Sequence, residues 1–119
     1  MDLVVDTYRL TKGLPKSELF GLASQMQRSA VSIPANIAEG HEREHLGDYL
    51  HHLSVANGSL MELETHCLIA ARLKFLEGDK TKSFLESTSE LGRMMSGLIR
   101  KLKAKHHGNR SSHSLTPGT

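Results

Sequence analysis

Residues 18–40 read ELFGLASQMQRSAVSIPANIAEG, and this stretch decides the fold. Leu19, Leu22, Met26, Ala30, Ile33 and Ile37 recur in it at steps of three and four, the seam of an amphipathic helix that packs on other helices. Ser17 stands where its hydroxyl can cap the helix start. Pro34 falls inside the run, deletes one backbone hydrogen bond and crowds the carbonyl of Ala30, which predicts a kink. Gly40 loosens or ends the helix.

Three more helical segments flank it. The first, over residues 1–12, carries Leu3, Val4, Tyr8 and Leu10, and Gly13-Leu14-Pro15 ends it. The third spans residues 44–76 with Leu46, Leu50 (or Tyr49), Leu53, Leu60, Leu63, Cys67 and Ala70 on one stripe; Gly78-Asp79 makes the next turn. The fourth spans residues 80–105, with Phe84, Thr88, Leu91, Met95, Leu98 and Leu102 in phase. No strand alternation appears. The fold expected is all-α, an antiparallel up-down four-helix bundle with a shortened first helix, over residues 1–106. Residues 107–119, rich in Asn, Ser, Thr, Pro and Gly, read as a flexible polar and basic tail.

Composition agrees. A chain of 119 residues is one domain's worth, 38% hydrophobic and 24% charged, with no Trp, three Phe and two Tyr. Such a core is built from Leu, Ile, Val, Met and Ala, which suits helix packing. The single cysteine, Cys67, rules out an intrachain disulfide and fits a reducing cytoplasm. The N-terminus lacks the basic and apolar regions of a signal peptide, and no apolar run approaches the roughly 20 residues of a membrane span.

His41-Glu42-Arg43-Glu44-His45 fits the zinc-protease pattern H-E-x-x-H. On an unbroken helix His41, His45, Asp48 and His52 would share a face and a metal site would be conceivable. Gly40 in front of it, a small chain without obvious strands and the ordinary occurrence of histidine on polar helix faces argue for surface histidines. No catalytic residue, metal or cofactor is expected.

Two features bear on function. A polar stripe of Gln25, Arg28 (or Ser29), Ser32, Asn36 and Glu39 runs beside the seam of the second helix. Ser54, Asn57, Ser59, Glu62 and Glu64 interrupt the third helix, where Ala56 and Gly58 are small enough for close backbone approach. Facing stripes of this kind form a polar network that fixes register, with Arg28 and Glu62 as one expected pair, or else line a recessed site. The other feature is charge. Residues 1–90 hold nine Lys/Arg and all 13 Asp/Glu, whereas residues 91–119 hold Arg93, Arg100, Lys101, Lys103, Lys105 and Arg110 and no acid. Such a basic end is the footprint of a nucleic-acid contact, or of a helix end whose cations complement its dipole. No aromatics interleave with these cations, so base stacking and sequence readout are not expected of them.

The 18–40 stretch, with Arg43 and the later block Leu53-Ser54-Val55-Ala56-Asn57-Gly58-Ser59-Leu60-Met61-Glu62-Leu63-Glu64, resembles a bacterial four-helix bundle family. That family includes the proteins encoded in intervening sequences of 23S ribosomal RNA genes and the accessory variability determinants of diversity-generating retroelements. SIPANIAEG, residues 32–40, is its most distinctive part. The resemblance covers roughly residues 1–102 and implies a polar network through Gln25, Arg28, Ser32, Asn36, Glu39, Arg43, Ser59 and Glu62. It also implies a ring-like homo-oligomer, a pentamer, without enzymatic activity. In the retroelement branch it implies contact with RNA or DNA and with a reverse transcriptase. The family has a further turn or two before the position of Met1, so the first helix here reads as shortened, and the tail from Lys103 lies outside the pattern. The function expected is a cytoplasmic nucleic-acid-binding scaffold, or alternatively a platform for one protein partner.

Overall fold

The structure, a computed structural model, describes residues 2–114, with side chains to Gly108. It is the expected all-α bundle: α1 Asp2–Thr11, α2 Ser24–His41, α3 Leu46–Arg72 and α4 Asp79–Ser114, with no strand among the described residues. Consecutive helices pack on one another, α2 on α3 most extensively, and α1 closes against α2 and the start of α4. The bundle is a rod of 63 × 21 × 20 Å. At 10 residues α1 is far shorter than the 36 residues of α4, so it lies along only one end of it.

The core follows the seams. Met26, Ala30 and Ile33 of α2 are fully buried against Ala56, Leu60, Leu63, Cys67 and Ala70 of α3, with Phe84 and Met95 of α4 closing the cluster. A second cluster of Leu50, Leu53 and Ile99 fills the end near the α2–α3 junction. Leu14 and Leu76 plug the opposite end from the two loops. Thr88 is buried on α4 as its spacing predicts, Ile99 and not Leu98 is buried further along that helix, and on α1 Thr7 and not Tyr8 takes the buried position. Thr7 does so by donating to the Leu3 carbonyl at 2.7 Å, which satisfies its hydroxyl inside its own helix.

Three boundaries differ from the sequence expectation. The second helix does not begin at Ser17. Residues 16–18 form a 3₁₀ turn and Leu19–Ala23 a π-turn in which Gly21 leaves helical geometry (φ −103°, ψ −109°). This break shifts the phase upstream of α2, so Leu19 is 57% exposed although it shares the spacing of the buried seam. The helix runs through Pro34 without ending, and a break in helical geometry lies upstream of it at Gly21. At the far end α4 continues through Gly108 to Ser114, past the compositional boundary at 106/107. A glycine costs a helix about 1 kcal/mol and does not by itself stop it. Residues 115–119 lie outside the described residues.

The third helix stops at Arg72, four residues short of expectation, by a Schellman turn whose left-handed residue is Lys74 (φ 61°). Lys74 N–H donates to the Ala71 carbonyl at 3.0 Å and Phe75 N–H to the Ala70 carbonyl at 2.9 Å, the paired bonds of that motif. Gly78 (φ 90°) then takes the second left-handed position before α4.

Candidate nucleic-acid interface

The polar stripes of α2 and α3 form a ladder beside the core. Ser32 and Ser59 hydroxyls lie 2.8 Å apart. Asn36 Nδ2 donates to the Ser32 carbonyl at 2.9 Å and to Ser32 Oγ at 3.0 Å. Its Oδ1 is then the acceptor for His52 Nδ1–H at 3.2 Å, which fixes the tautomer of that imidazole. Ser29 Oγ donates to Glu62 Oε2 at 3.3 Å. Gly40 completes the ladder: a Cβ there would sit 2.9 Å from His52 Cβ and 3.0 Å from Tyr49 Cδ1. The glycine ending SIPANIAEG is therefore a point of close helix approach.

Of the sequence-derived network, Ser32, Asn36, Ser59 and Glu62 come together, and Glu39 pairs with Arg43 on the surface as the one ion pair among the described residues. Arg28 does not pair with Glu62. It is exposed, and Ser29, the alternative at that position, is buried and holds the carboxylate instead. Gln25 is exposed and outside the ladder. Ala56 is fully buried as expected, but Gly58 is exposed with nothing within 4 Å of a Cβ, so it mediates no approach within the chain. Gln27 Nε2, donating to Thr11 Oγ1 at 3.0 Å, ties α1 to α2 and was not legible from spacing. These contacts hold the register of α2 against α3.

The H-E-x-x-H match does not become a helical face. His41 closes α2 and His45 precedes α3, with a non-helical link between them. His41 packs beside Tyr49, ring centroids 5.5 Å apart, and His52 is engaged with Asn36. The α2 and α3 carriers of the four ligand candidates are thus separate helices, and the i, i+4 geometry that a zincin requires is not formed. Among the described residues no three His, Cys, Asp or Glu side chains are grouped to hold a metal. Cys67 is buried, and burial, reinforced by the nearby Glu64 charge, pushes its thiol up from 9.0 to about 11, far from a reactive thiolate.

The basic residues lie on α4. Arg93, Arg100, Lys101, Lys103 and Lys105 are all exposed and none makes an ion pair among the described residues. Arg110 lies outside the described side chains. The α4 face turned to α3 shapes a groove of about 490 Å³ lined by Asn57, Glu64, Ser89, Gly92, Arg93 and Arg100, among others. Glu64 in this groove accepts from Thr88 Oγ1 at 2.8 Å and Ser89 Oγ at 3.1 Å. Sequence pattern placed Thr88 in the apolar seam. The only signal for its second role was a hydroxyl-bearing residue in a leucine-rich register facing a helix that carries Glu64. Near the bundle end, His106 packs over Gly47, its Cε1 3.6 Å from where a Cβ would be.

A family profile described as 23S rRNA-intervening sequence protein matches residues 1–97. The chain belongs to that family. Among solved structures, a protein of unknown function from the S23 ribosomal protein family of Bacteroides thetaiotaomicron shares the fold, with a TM-score of 0.75 and 23% identity over 83% of this chain and 89% of that chain. No curated protein matches significantly. The 23S rRNA-intervening sequence protein match takes in the α2–α3 ladder, the α3–α4 groove as far as Ser96, and Arg93, and stops short of Arg100, Lys101, Lys103 and Lys105. Among the described residues no helix is long and apolar enough to cross a membrane.

Proposed function

We propose that the chain is a non-enzymatic, oligomeric helical scaffold of the cytoplasm that binds RNA or DNA through the C-terminal half of α4. The observation that carries this reading is the set Arg100, Lys101, Lys103 and Lys105, exposed within two turns of one helix, free of ion pairs among the described residues, in a helix with no acid after Glu90. Phosphate contacts by such residues release counterions, so affinity depends on charge number and salt. The family description ties relatives to intervening sequences of 23S rRNA, which makes structured RNA the first probe. Four phosphate contacts correspond to a slope of log K against log salt of about −3 to −4. Fluorescence anisotropy of labelled RNA and DNA across a salt series measures it. Reversing all four charges to Glu should abolish binding at low salt, and unchanged binding would sink the proposal.

Assembly is part of the same reading. Leu68 and Ile69 are exposed towards the C-terminal end of α3, and burying such a face between copies would stabilise a bundle with a short first helix. A homo-oligomer, with the pentamer as the order implied by the resemblance, is the expected state. Light scattering that returns a monomer across micromolar concentrations removes this part.

A second reading, a platform for one protein partner such as a reverse transcriptase, is favoured by Phe20, 89% exposed beside Leu19 on the π-turn. It requires a complex of the purified proteins that survives nuclease and is lost in Phe20→Ser.

A further inference from the structure

The groove between α3 and α4 sets an unused acceptor among unused cations. Ser89 donates to Oε2 of Glu64, Thr88 shares its one hydroxyl proton between that same oxygen and the Leu85 carbonyl at 2.9 Å, and among the described residues nothing donates to Oε1. The carboxylate is therefore fixed in place by hydroxyls that leave half of its acceptor capacity unspent. Arg93 and Arg100 line the same groove. Seven residues apart on one helix, they lie on the same face and about 10 Å apart along it. Neither makes an ion pair with Glu64 or any other carboxylate among the described residues. Asn57 adds an amide from α3. Gly92 keeps the floor low, since the Cβ it lacks would already reach within 3.7 Å of Leu60 Cδ2.

An acceptor-only group at one place and two guanidiniums along the other wall suit a ligand that carries hydrogen-bond donors at one end and phosphate at the other. The groove, at about 490 Å³, has the size of a small-molecule site. We infer that the α3–α4 groove holds one nucleotide of an unpaired strand, with phosphate on Arg93 and Arg100 and the donor edge of the base on Glu64 Oε1. Guanine is the preferred base, because its N1–H and N2–H groups are adjacent donors, whereas uracil presents one imino N–H between two carbonyls. With no aromatic side chain lining the groove, discrimination comes from donor count and not from stacking. The inference rests on the nucleic-acid reading above and adds to it a base preference that the lysine-rich end of α4 has no means to produce.

The test uses the full chain and three short RNA strands, an oligouridylate and the same strand with guanosine or inosine at its centre. At low salt the guanosine strand should bind on the order of tenfold tighter than oligouridylate, with inosine, which lacks the N2 amino group, between them. Glu64→Gln keeps an oxygen for Thr88 and Ser89 but turns the free acceptor into a donor, and should erase the preference. Arg93→Ala and Arg100→Ala should weaken all three strands alike. Gly92→Leu, which fills the floor, should also erase the preference and covers the case in which Glu64→Gln melts early. Equal binding of the three strands by the native protein, or a preference that survives both Glu64→Gln and Gly92→Leu, overturns the groove and leaves the basic end of α4 standing. Failure of every strand to bind at low salt overturns the nucleic-acid reading, and this inference with it.

Discussion

Ser32 of α2 and Ser59 of α3 meet hydroxyl to hydroxyl at 2.8 Å, and Asn36 braces Ser32 from one turn further on. The stretch SIPANIAEG, residues 32–40, thereby sets the register of two helices. Either serine cut to alanine removes the hydrogen bond between the two helices, at a cost of about 1 kcal/mol. Removing both should cost less than the sum, because the second loss no longer breaks a bond. Urea melts of Ser32→Ala, Ser59→Ala and the pair form the cycle, with a coupling of about 0.5 kcal/mol or more expected. Strict additivity would mean that the two hydroxyls bond to water instead.

The two glycines of the α2–α3 pair should respond oppositely. Gly40→Ala places a Cβ 2.9 Å from His52 Cβ, and the helices must separate, which costs about 1–3 kcal/mol. Gly58→Ala meets nothing within the chain and should raise stability by about 0.5–1 kcal/mol through the helix propensity gained. Thermal melts compare the two. Light scattering run alongside reads a further consequence: loss of assembly in Gly58→Ala would place that face of α3 between copies.

The amphipathic seams made the fold legible, because burial of apolar side chains at helical spacing is a periodic signal. Met26, Ala30 and Ile33 on α2 and the stripe from Leu50 to Ala70 on α3 are buried as their spacing predicts. Leu19 is exposed because periodicity assumes one continuous helix, and Gly21 breaks it. Polar partners were harder to read. Arg28 is the stronger charge, yet Ser29 sits on the buried side and takes Glu62. One residue on a helix turns the side chain by about 100°, and an interrupted stripe does not fix the phase that finely. Arg28→Ala should accordingly change stability by no more than about 0.5 kcal/mol. The sequence marked Asn57, Glu64, Thr88 and Arg93 separately but not the α3–α4 groove they line, because they share no local pattern and are joined only by packing.

Lys74 pays a conformational cost that its neighbours do not. Its φ of 61° is left-handed, and side-chain-bearing residues there lose roughly 1–2 kcal/mol relative to the right-handed helix. Lys74→Gly should relieve that strain while adding some unfolded-state entropy, for a net gain of about 0.5–1 kcal/mol. Differential scanning calorimetry should show a rise in Tm of a few degrees. A fall would mean that the lysine side chain makes a contact worth more than the strain.

Cys67 predicts a specific alkaline weakness. Its thiol is buried beside Glu64, and both desolvation and that charge favour the neutral form in the folded state, moving its titration from 9.0 to about 11. The unfolded chain ionises first, so the folded state binds the proton more tightly. The stabilising contribution is complete below pH 9 and is lost as pH rises through about 11. Cys67→Ala opens a small cavity and lowers stability at neutral pH, but it should lack this component of the pH dependence. The measured quantity is the difference in unfolding free energy between native protein and Cys67→Ala, taken from pH 8 to pH 11, which cancels the titration of lysines and tyrosines common to both. That difference should shrink as pH rises. A difference that stays flat across the range would show that the buried thiol does not ionise differently in the two states.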